Sequence, residues 1–225
     1  MDLNNTLVVK NTYNAIAEEF SPLLSIENSS RAEVEFMDTF LEYLPRECDV
    51  VDLGCGAGKH GRYCASKGHR VTGFDISEKM IELAKLYNNK YEMKVLHVAD
   101  ICTVECDVKF DGVVAMYSLI HLTKDQTVVA INNLCKYLKP AAKIAITVYN
   151  GDRNGYYDEA LRPELELKQF YRDYTRDELT NLFEAMGFKI ENVQLWDDED
   201  DITASNEDVE FGVIGLIATW QGERI

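Results

Sequence analysis

Three aspartates stand at the ends of three successive β-branched runs. Asp52 closes Val50-Val51, Asp75 closes Val71-Thr72-Gly73-Phe74, and Asp100 follows Lys94-Val95-Leu96-His97-Val98-Ala99. A carboxylate at a strand end can accept two hydrogen bonds at once, from paired hydroxyls or from an amino group. Taken singly, each is an ordinary cap for the next helix or turn. Three at near-regular spacing point to one ligand lying across several strand ends. Behind Asp52 come glycines at alternate positions, Gly54, Gly56 and Gly58, interleaved with Cys55 and Ala57. Such a turn lets the backbone approach a ligand closely, and the helix after it offers unpaired N–H groups. His121 follows a further apolar run, Phe110–Ala115, and its ordinary pKa suits proton transfer near neutrality. Among Leu119, Ile120 and Leu122 it equally fits a buried histidine that ties a loop. Tyr117, Tyr149, Tyr156, Tyr157 and Tyr171 are further candidates for lining a substrate pocket.

These residues need a frame, and hydrophobic periodicity supplies one. Tyr13, Ile16, Ala17 and Phe20 share one face of an N-terminal helix. Ser30-x-x-Glu33 reads as a capping box opening a second helix, with Val34, Met37, Phe40, Leu41 and Leu44 inward and Pro45 at its end. Strands are expected at 49–53, 70–75, 94–99, 110–115 and 143–149, with helices between them. This alternation argues for a doubly wound, mostly parallel sheet whose ligands sit beyond the carboxyl ends of the strands. Residues 150–174 break the pattern. They hold Gly151, Gly155, several aromatic residues and Arg153, Arg162 and Arg172, with little periodicity, and are too long for an ordinary connection. They read as an insertion that caps a substrate pocket together with the N-terminal helices. Thr175-x-x-Glu178 opens another helix, and strands at 188–196 and 209–220 follow, with the acidic run 197–201 as an exposed tip. The expected organisation is one domain over 1–225: cap helices at 1–45, a ligand-binding core at 46–149, the cap insertion at 150–174, and a helix and two strands at 175–225.

Composition narrows the partners. The 225 residues carry a net charge of −16 and show no basic stripe, which argues against nucleic acid. No run reaches the roughly 18 apolar residues of a membrane span, and residues 1–10 lack the features of a signal peptide. The six cysteines form no C-x-x-C pair, and no histidine stands at ligand spacing beside Cys102 and Cys106. No metal site is expected, and reduced thiols in a cytoplasmic protein fit this usage.

The glycine turn can be read in two registers. Gly56-Ala57-Gly58-Lys59-His60-Gly61 satisfies G-x-G-x-x-G, a dinucleotide fingerprint. Asp52-x-Gly54-x-Gly56-x-Gly58 resembles the first motif of the class I S-adenosylmethionine (SAM) methyltransferases. SAM carries an ammonium and a sulfonium but no diphosphate, so an acid beside the turn suits it. Further blocks are similar to that family: the N-terminal Tyr13-x-x-Ile16-Ala17-x-x-Phe20, then Val71–Ser77 with Met80, Phe110–Val114 with Ser118–Leu122, and Leu138-Lys139-Pro140. Ala141-Ala142 depart from it, standing where glycines are usual. Together the blocks run from about Tyr13 to Trp220.

The resemblance implies a Rossmann-like seven-stranded sheet in the order 3-2-1-4-5-7-6, the last strand antiparallel. It implies SAM as cofactor, S-adenosylhomocysteine as product, and a small-molecule acceptor methylated at O, N or S. By the same resemblance Asp75 would hold the ribose hydroxyls and Asp100 the adenine amino group, with the Ile101 N–H at a ring nitrogen. Ile76 and Met80 would sandwich the adenine. Gly54, Cys55 and Gly56 would approach the methionine part, Asp52 would lie near its ammonium, and the backbone at Ala115–Met116 would take that ammonium from the other side. Tyr13 would close over the cofactor, and His121 would be the base where one is needed. An NAD(P)-dependent oxidoreductase and a non-catalytic SAM-binding protein are the rival readings. Monomer and homodimer both remain open.

Overall fold

Val50, Val51, Val71, Val113 and Val114 are almost wholly buried, as strands covered on both faces require. The structure is a computed structural model and describes residues 3–20, 29–88, 93–197 and 212–222. The strands are β1 (Asp49–Leu53), β2 (Arg70–Asp75), β3 (Val95–Val98), β4 (Phe110–Met116), β5 (Leu138–Asn150), β6 (Asn154–Asp158), β7 (Lys168–Arg172), β8 (Phe188–Trp196) and β9 (Gly212–Trp220). Seven of them form one sheet in the order β3-β2-β1-β4-β5-β9-β8, while β6 and β7 form a separate antiparallel hairpin. Strands from β3 to β5 pair in parallel, and β9 runs antiparallel to both neighbours. This is the expected order once the hairpin strands take two numbers.

The helices are α1 (Leu3–Phe20), α2 (Arg31–Glu42), α3 (Lys59–Ser66), α4 (Glu78–Tyr87), α5 (Lys124–Cys135) and α6 (Arg176–Ala185). Phe36, Met37 and Phe40 of α2 pack with Trp196, Val213 and Ile217 in one hydrophobic cluster. Ile131 and Leu134 of α5 and Leu179 and Phe183 of α6 pack with Val113, Ile144 and Leu216 in a second. Helix starts follow the expected chemistry: Ser30, Ser77, Thr123 and Thr175 each accept from a backbone N–H three residues on. The box at Thr123 is reciprocal with Gln126. At Ser30 the Glu33 carboxylate instead turns to Lys59 and His60. Among the described residues no helix is long and apolar enough to cross a membrane, and all six cysteines are free.

The insertion after β5 folds as a β-hairpin, although its sequence shows little periodicity. Its inner strand β7 packs against α1 and against a short 3-10 turn, Leu119–His121. The sequence missed it because Tyr156 to Asp158 are all exposed, so β6 shows no alternation. The acidic run lies outside the described residues apart from Asp197. Strand β5 begins earlier than expected and passes through Ala141 at φ +62°, a left-handed conformation costing an L-residue about 1–2 kcal/mol. The departure from glycine at this turn is therefore strained. Ala141→Gly is expected to stabilise the protein by about 0.5–1 kcal/mol, the relief exceeding the added unfolded-state entropy. Urea unfolding at neutral pH checks this.

Candidate active site

The carboxyl ends of β1, β2 and β4 meet α1 and β7 around a cavity of about 320 Å³. Parallel strands and their following helices place every tip at this one edge. Asp100 and Ile101 line it, as do Asp75, Ile76 and Met80, the glycine turn Gly54-Cys55-Gly56, and Met116, Tyr117, His121, Tyr149 and Tyr171. Tyr13 of α1 joins them. The structure thus gathers most of the residues singled out in the sequence.

Asp75 is held firmly. Its Oδ2 accepts from the Gly56 N–H at 2.8 Å and its Oδ1 from the Ser77 N–H at 2.8 Å. Each oxygen keeps acceptor capacity. Burial pushes its pKa up to about 6 despite those N–H groups. Asp100 Oδ1 accepts from the Cys102 N–H at 2.8 Å. Gly54 has φ +70°, and a Cβ there would stand 2.5 Å from the Ser118 Cβ. No other residue type fits that position without displacing the backbone after β4. Tyr117, on that segment, holds φ +56° although bulky. Its N–H donates to the Thr147 carbonyl and hydroxyl, both at 3.1 Å, and its ring lies 5.6 Å from that of Tyr149. A strained tyrosine at a cavity wall is a mark of a functional surface.

His121 is fully engaged. Nδ1 lies 2.9 Å from the Phe170 carbonyl, and Nε2 lies 2.7 Å from the Tyr13 hydroxyl. The Gln169 side-chain amide also lies 2.9 Å from Nδ1. A backbone carbonyl only accepts, so Nδ1 carries the proton and Gln169 turns its otherwise unpartnered Oε1 toward it, while Nε2 accepts and Tyr13 donates. Burial first, opposed by the Phe170 carbonyl, lowers the His121 pKa to about 4, so the ring is neutral at physiological pH. Burial also raises the Tyr13 pKa well above the usual phenol value. Tyr171 packs its ring 5.2 Å from the imidazole. Helix α1 is tied down around this pair. Asn5 Nδ2 donates to the His121 carbonyl at 3.0 Å and to Gln126 Oε1 at 2.9 Å. Thr12 donates to the Lys168 carbonyl at 2.8 Å. Asn14 accepts from Ser77 Oγ at 2.7 Å.

Four expected positions differ. Asp52 is absent from the wall: it is 1% exposed, and its Oδ2 accepts from the Gly61 N–H of α3 at 2.8 Å. It caps the first turn of α3 instead. Ala115 is buried within β4, and Met116 takes the wall instead. Tyr156 and Tyr157 are 43% and 41% exposed on the outer hairpin strand, with β7 between them and the cavity. Their rings meet those of Phe170 and Tyr171. Of the insertion's arginines, Arg162 pairs with Glu19 and Glu164, and Arg172 with Glu178. Arg153 pairs with Asp173 and stacks on Tyr149 and Tyr171. The sequence reading missed Asn5, Ser118, Lys59 and His60 as wall residues. Asn5 lies ahead of the apolar face that revealed α1. Lys59 and His60 carried one usable signal, their place directly after the glycine turn.

Burial raises the Asp52 pKa to about 6. A folded pKa above the unfolded one means that the stabilisation is present at low pH and lost as pH rises through about 6. Asp52→Asn lacks that loss. Its stability is expected to gain about 1 kcal/mol on the natural protein between about pH 5.3 and pH 7, read by urea unfolding above the isoelectric point.

Residues 50–141 match the methyltransferase-domain family. Over 146 residues the chain is 30% identical to the O-methyltransferase resE of Aspergillus sclerotiorum, covering 63% of this chain and 54% of that enzyme. Over 165 residues it is 26% identical to the ubiquinone biosynthesis O-methyltransferase of Dechloromonas aromatica, covering 70% and 68%. In fold it is similar to the 1,6-didemethyltoxoflavin-N1-methyltransferase of Burkholderia thailandensis, solved with 1,6-didemethyltoxoflavin and S-adenosylhomocysteine. There the TM-score is 0.64 at 20% identity, over 94% of this chain and 90% of that one. The fold is that of the SAM-dependent methyltransferases, and residues 50–141 carry the match to their domain. It spans little more than half the length of the Aspergillus relative.

Proposed function

We propose that this protein moves a methyl group from SAM to an oxygen, nitrogen or sulfur nucleophile of a small-molecule acceptor. The observation that carries the reading is one cavity joining two chemistries. Asp75, Asp100 and the bare glycine turn line one part, and the Tyr13–His121 pair with Tyr117, Tyr149 and Tyr171 lines another. The donor set fits the cofactor: Asp75 keeps acceptor capacity for two ribose hydroxyls, and Asp100 for the adenine amino group. The Ile101 N–H would serve a ring nitrogen, Ile76 and Met80 would flank the adenine, and Gly54 and Gly56 would admit the methionine part. Bound there, SAM supplies an activated methyl on a sulfonium. The protein's work is then alignment, which can supply several powers of ten in rate.

Where the nucleophile must lose a proton, the Tyr13–His121 pair is placed to take it. Both imidazole nitrogens are occupied, so His121 meets the acceptor through the Tyr13 oxygen. The acceptor proton passes to that oxygen as the Tyr13 hydroxyl proton passes to Nε2. The free thiols and the absence of a membrane-length helix among the described residues support a cytoplasmic setting. Titration calorimetry with S-adenosylhomocysteine and with NAD tests the cofactor. Micromolar binding of the former, about −8 kcal/mol, is the expected result. Binding of NAD alone overturns the reading. Labelled methyl transfer to a panel of phenols, amines and thiols then separates an enzyme from a non-catalytic binder.

A further inference from the structure

Beside the glycine turn, three ionisable side chains meet out of water. Lys59 Nζ lies 2.8 Å from Glu33 Oε1, and His60 Nε2 lies 2.6 Å from the same oxygen. Ser29 Oγ donates to it as well, at 3.1 Å. The Lys59, His60 and Glu33 side chains are 9%, 10% and 7% exposed. Lys59 and His60 line the cavity with Gly54 and Gly56, and Lys59 is the only lysine or arginine in its wall among the described residues.

A buried ammonium is costly unless its donors are used. Lys59 has three N–H donors, and Glu33 is their one acceptor among the described residues. Helix α3 starts at the same place. Its N-cap is Gly58 at φ +83°, which has no side chain to cap with, and Asp52 takes the Gly61 N–H, leaving the N–H groups of Lys59 and His60. A partly satisfied cation and the first two N–H groups of α3, on Lys59 and His60, therefore share one end of the glycine turn, and both residues line the cavity. That combination receives an anion.

We infer that Lys59, held in place by Glu33, binds the α-carboxylate of the cofactor's methionine part. The inference rests on the methyltransferase reading. With Asp75 and Asp100 on the ribose and adenine, the amino-acid end runs along Gly54–Gly56, and Lys59 and His60 come next in the wall. The Glu33 carboxylate, drawn by His60 and Lys59 to a pKa of about 2, stays charged and keeps the lysine pointing at the turn. Glu33 is a positioning residue. Because it heads α2, it also links that helix to the cofactor's charged end.

Two probes separate this from a merely structural ion pair: S-adenosylhomocysteine and its decarboxylated analogue, which keeps the amine and loses only the carboxylate. Both are titrated calorimetrically into the natural protein, Lys59→Met, Lys59→Arg and the charge-balanced Glu33→Gln/Lys59→Met. Lys59→Met is expected to lose about tenfold or more in affinity for S-adenosylhomocysteine, the scale of one charge-assisted hydrogen bond. It should bind the decarboxylated analogue as the natural protein does. Lys59→Arg should retain most of the affinity, and the double variant should behave as Lys59→Met does. Equal weakening toward both probes overturns the inference and leaves a structural pair. Unchanged affinity for S-adenosylhomocysteine also overturns it. If the natural protein binds neither probe, the cofactor reading itself has failed, a result distinct from all of these.

Discussion

Asp75→Ala is expected to abolish measurable S-adenosylhomocysteine binding or weaken it at least tenfold, with the empty protein still folded. The Asp75 carboxylate is fixed by the Gly56 and Ser77 N–H groups at 2.8 Å each, and so would meet two ribose hydroxyls without further ordering. Hydrogen bonds to a charged group contribute about 1.5–3 kcal/mol each, so losing two removes much of a micromolar affinity of about −8 kcal/mol. The stability balance differs. Alanine leaves two N–H groups unpaired, at about 1–3 kcal/mol each, while removing a buried charge that the empty site holds unfavourably. Calorimetry and ligand-induced melting shifts separate the two effects: the empty variant melts cooperatively, and the ligand shift vanishes. The pH dependence has a definite sign. With its pKa raised to about 6, Asp75 becomes protonated as pH falls through that value and accepts fewer hydrogen bonds. Affinity for S-adenosylhomocysteine in the natural protein should therefore decline on the acid side of about pH 6, and Asp75→Asn should be weak at every pH. Retention of full affinity by Asp75→Ala would remove the ribose contact from this site.

The end of the cavity proposed for the cofactor was readable because its chemistry is local in sequence. Strand, acid, glycine turn and helix occur within a few residues at Asp52–Gly58, and the same strand–acid order recurs at Asp75 and Asp100. Topology brings those segments to one edge of a parallel sheet, so three local patterns become one site. Asp52 shows the limit of this reasoning. A strand-end acid can face the ligand or the following helix, and only packing against Gly61 decides which. The acceptor end was much less legible. His121 and Tyr13 were both singled out, yet nothing in their spacing shows that they share a hydrogen bond across 108 positions. The hairpin was hidden because its outer strand is exposed throughout, which erases the period-two signal. Tyr156 and Tyr157 were misplaced for that reason, whereas Tyr171, on the inner strand, reaches the wall. Glu33 fitted a capping box so well that its longer-range pairing with Lys59 and His60 went unread.

Tyr13→Phe is the sharper probe of the acceptor end. It removes one hydroxyl and leaves the ring that stands edge-on to His121, with centroids 5.2 Å apart. S-adenosylhomocysteine affinity should stay within about threefold, while methyl transfer to a protonated nucleophile falls about a hundredfold, the lower end of a general-base contribution. His121→Asn should lose at least as much rate. It should also lose stability by about 1–3 kcal/mol, because the Phe170 carbonyl and the Tyr13 hydroxyl lose their partner. Groups that act as one unit are strongly non-additive, so Tyr13→Phe/His121→Asn should transfer methyl no more slowly than His121→Asn alone. A double variant slower by the product of the two single effects would mean independent roles. Since burial holds the imidazole pKa at about 4, the ring stays neutral well below its ordinary value. The natural protein's maximal rate should then show no loss as pH falls through about 6.5, where an unperturbed histidine base would be switched off. A nucleophile that arrives already deprotonated needs no base, and with it Tyr13→Phe should leave the rate unchanged. Comparing one acceptor of high and one of low pKa therefore distinguishes proton removal from alignment: a hundredfold loss for the first alone assigns Tyr13 to proton transfer, and an equal loss for both assigns it to positioning the acceptor against the methyl.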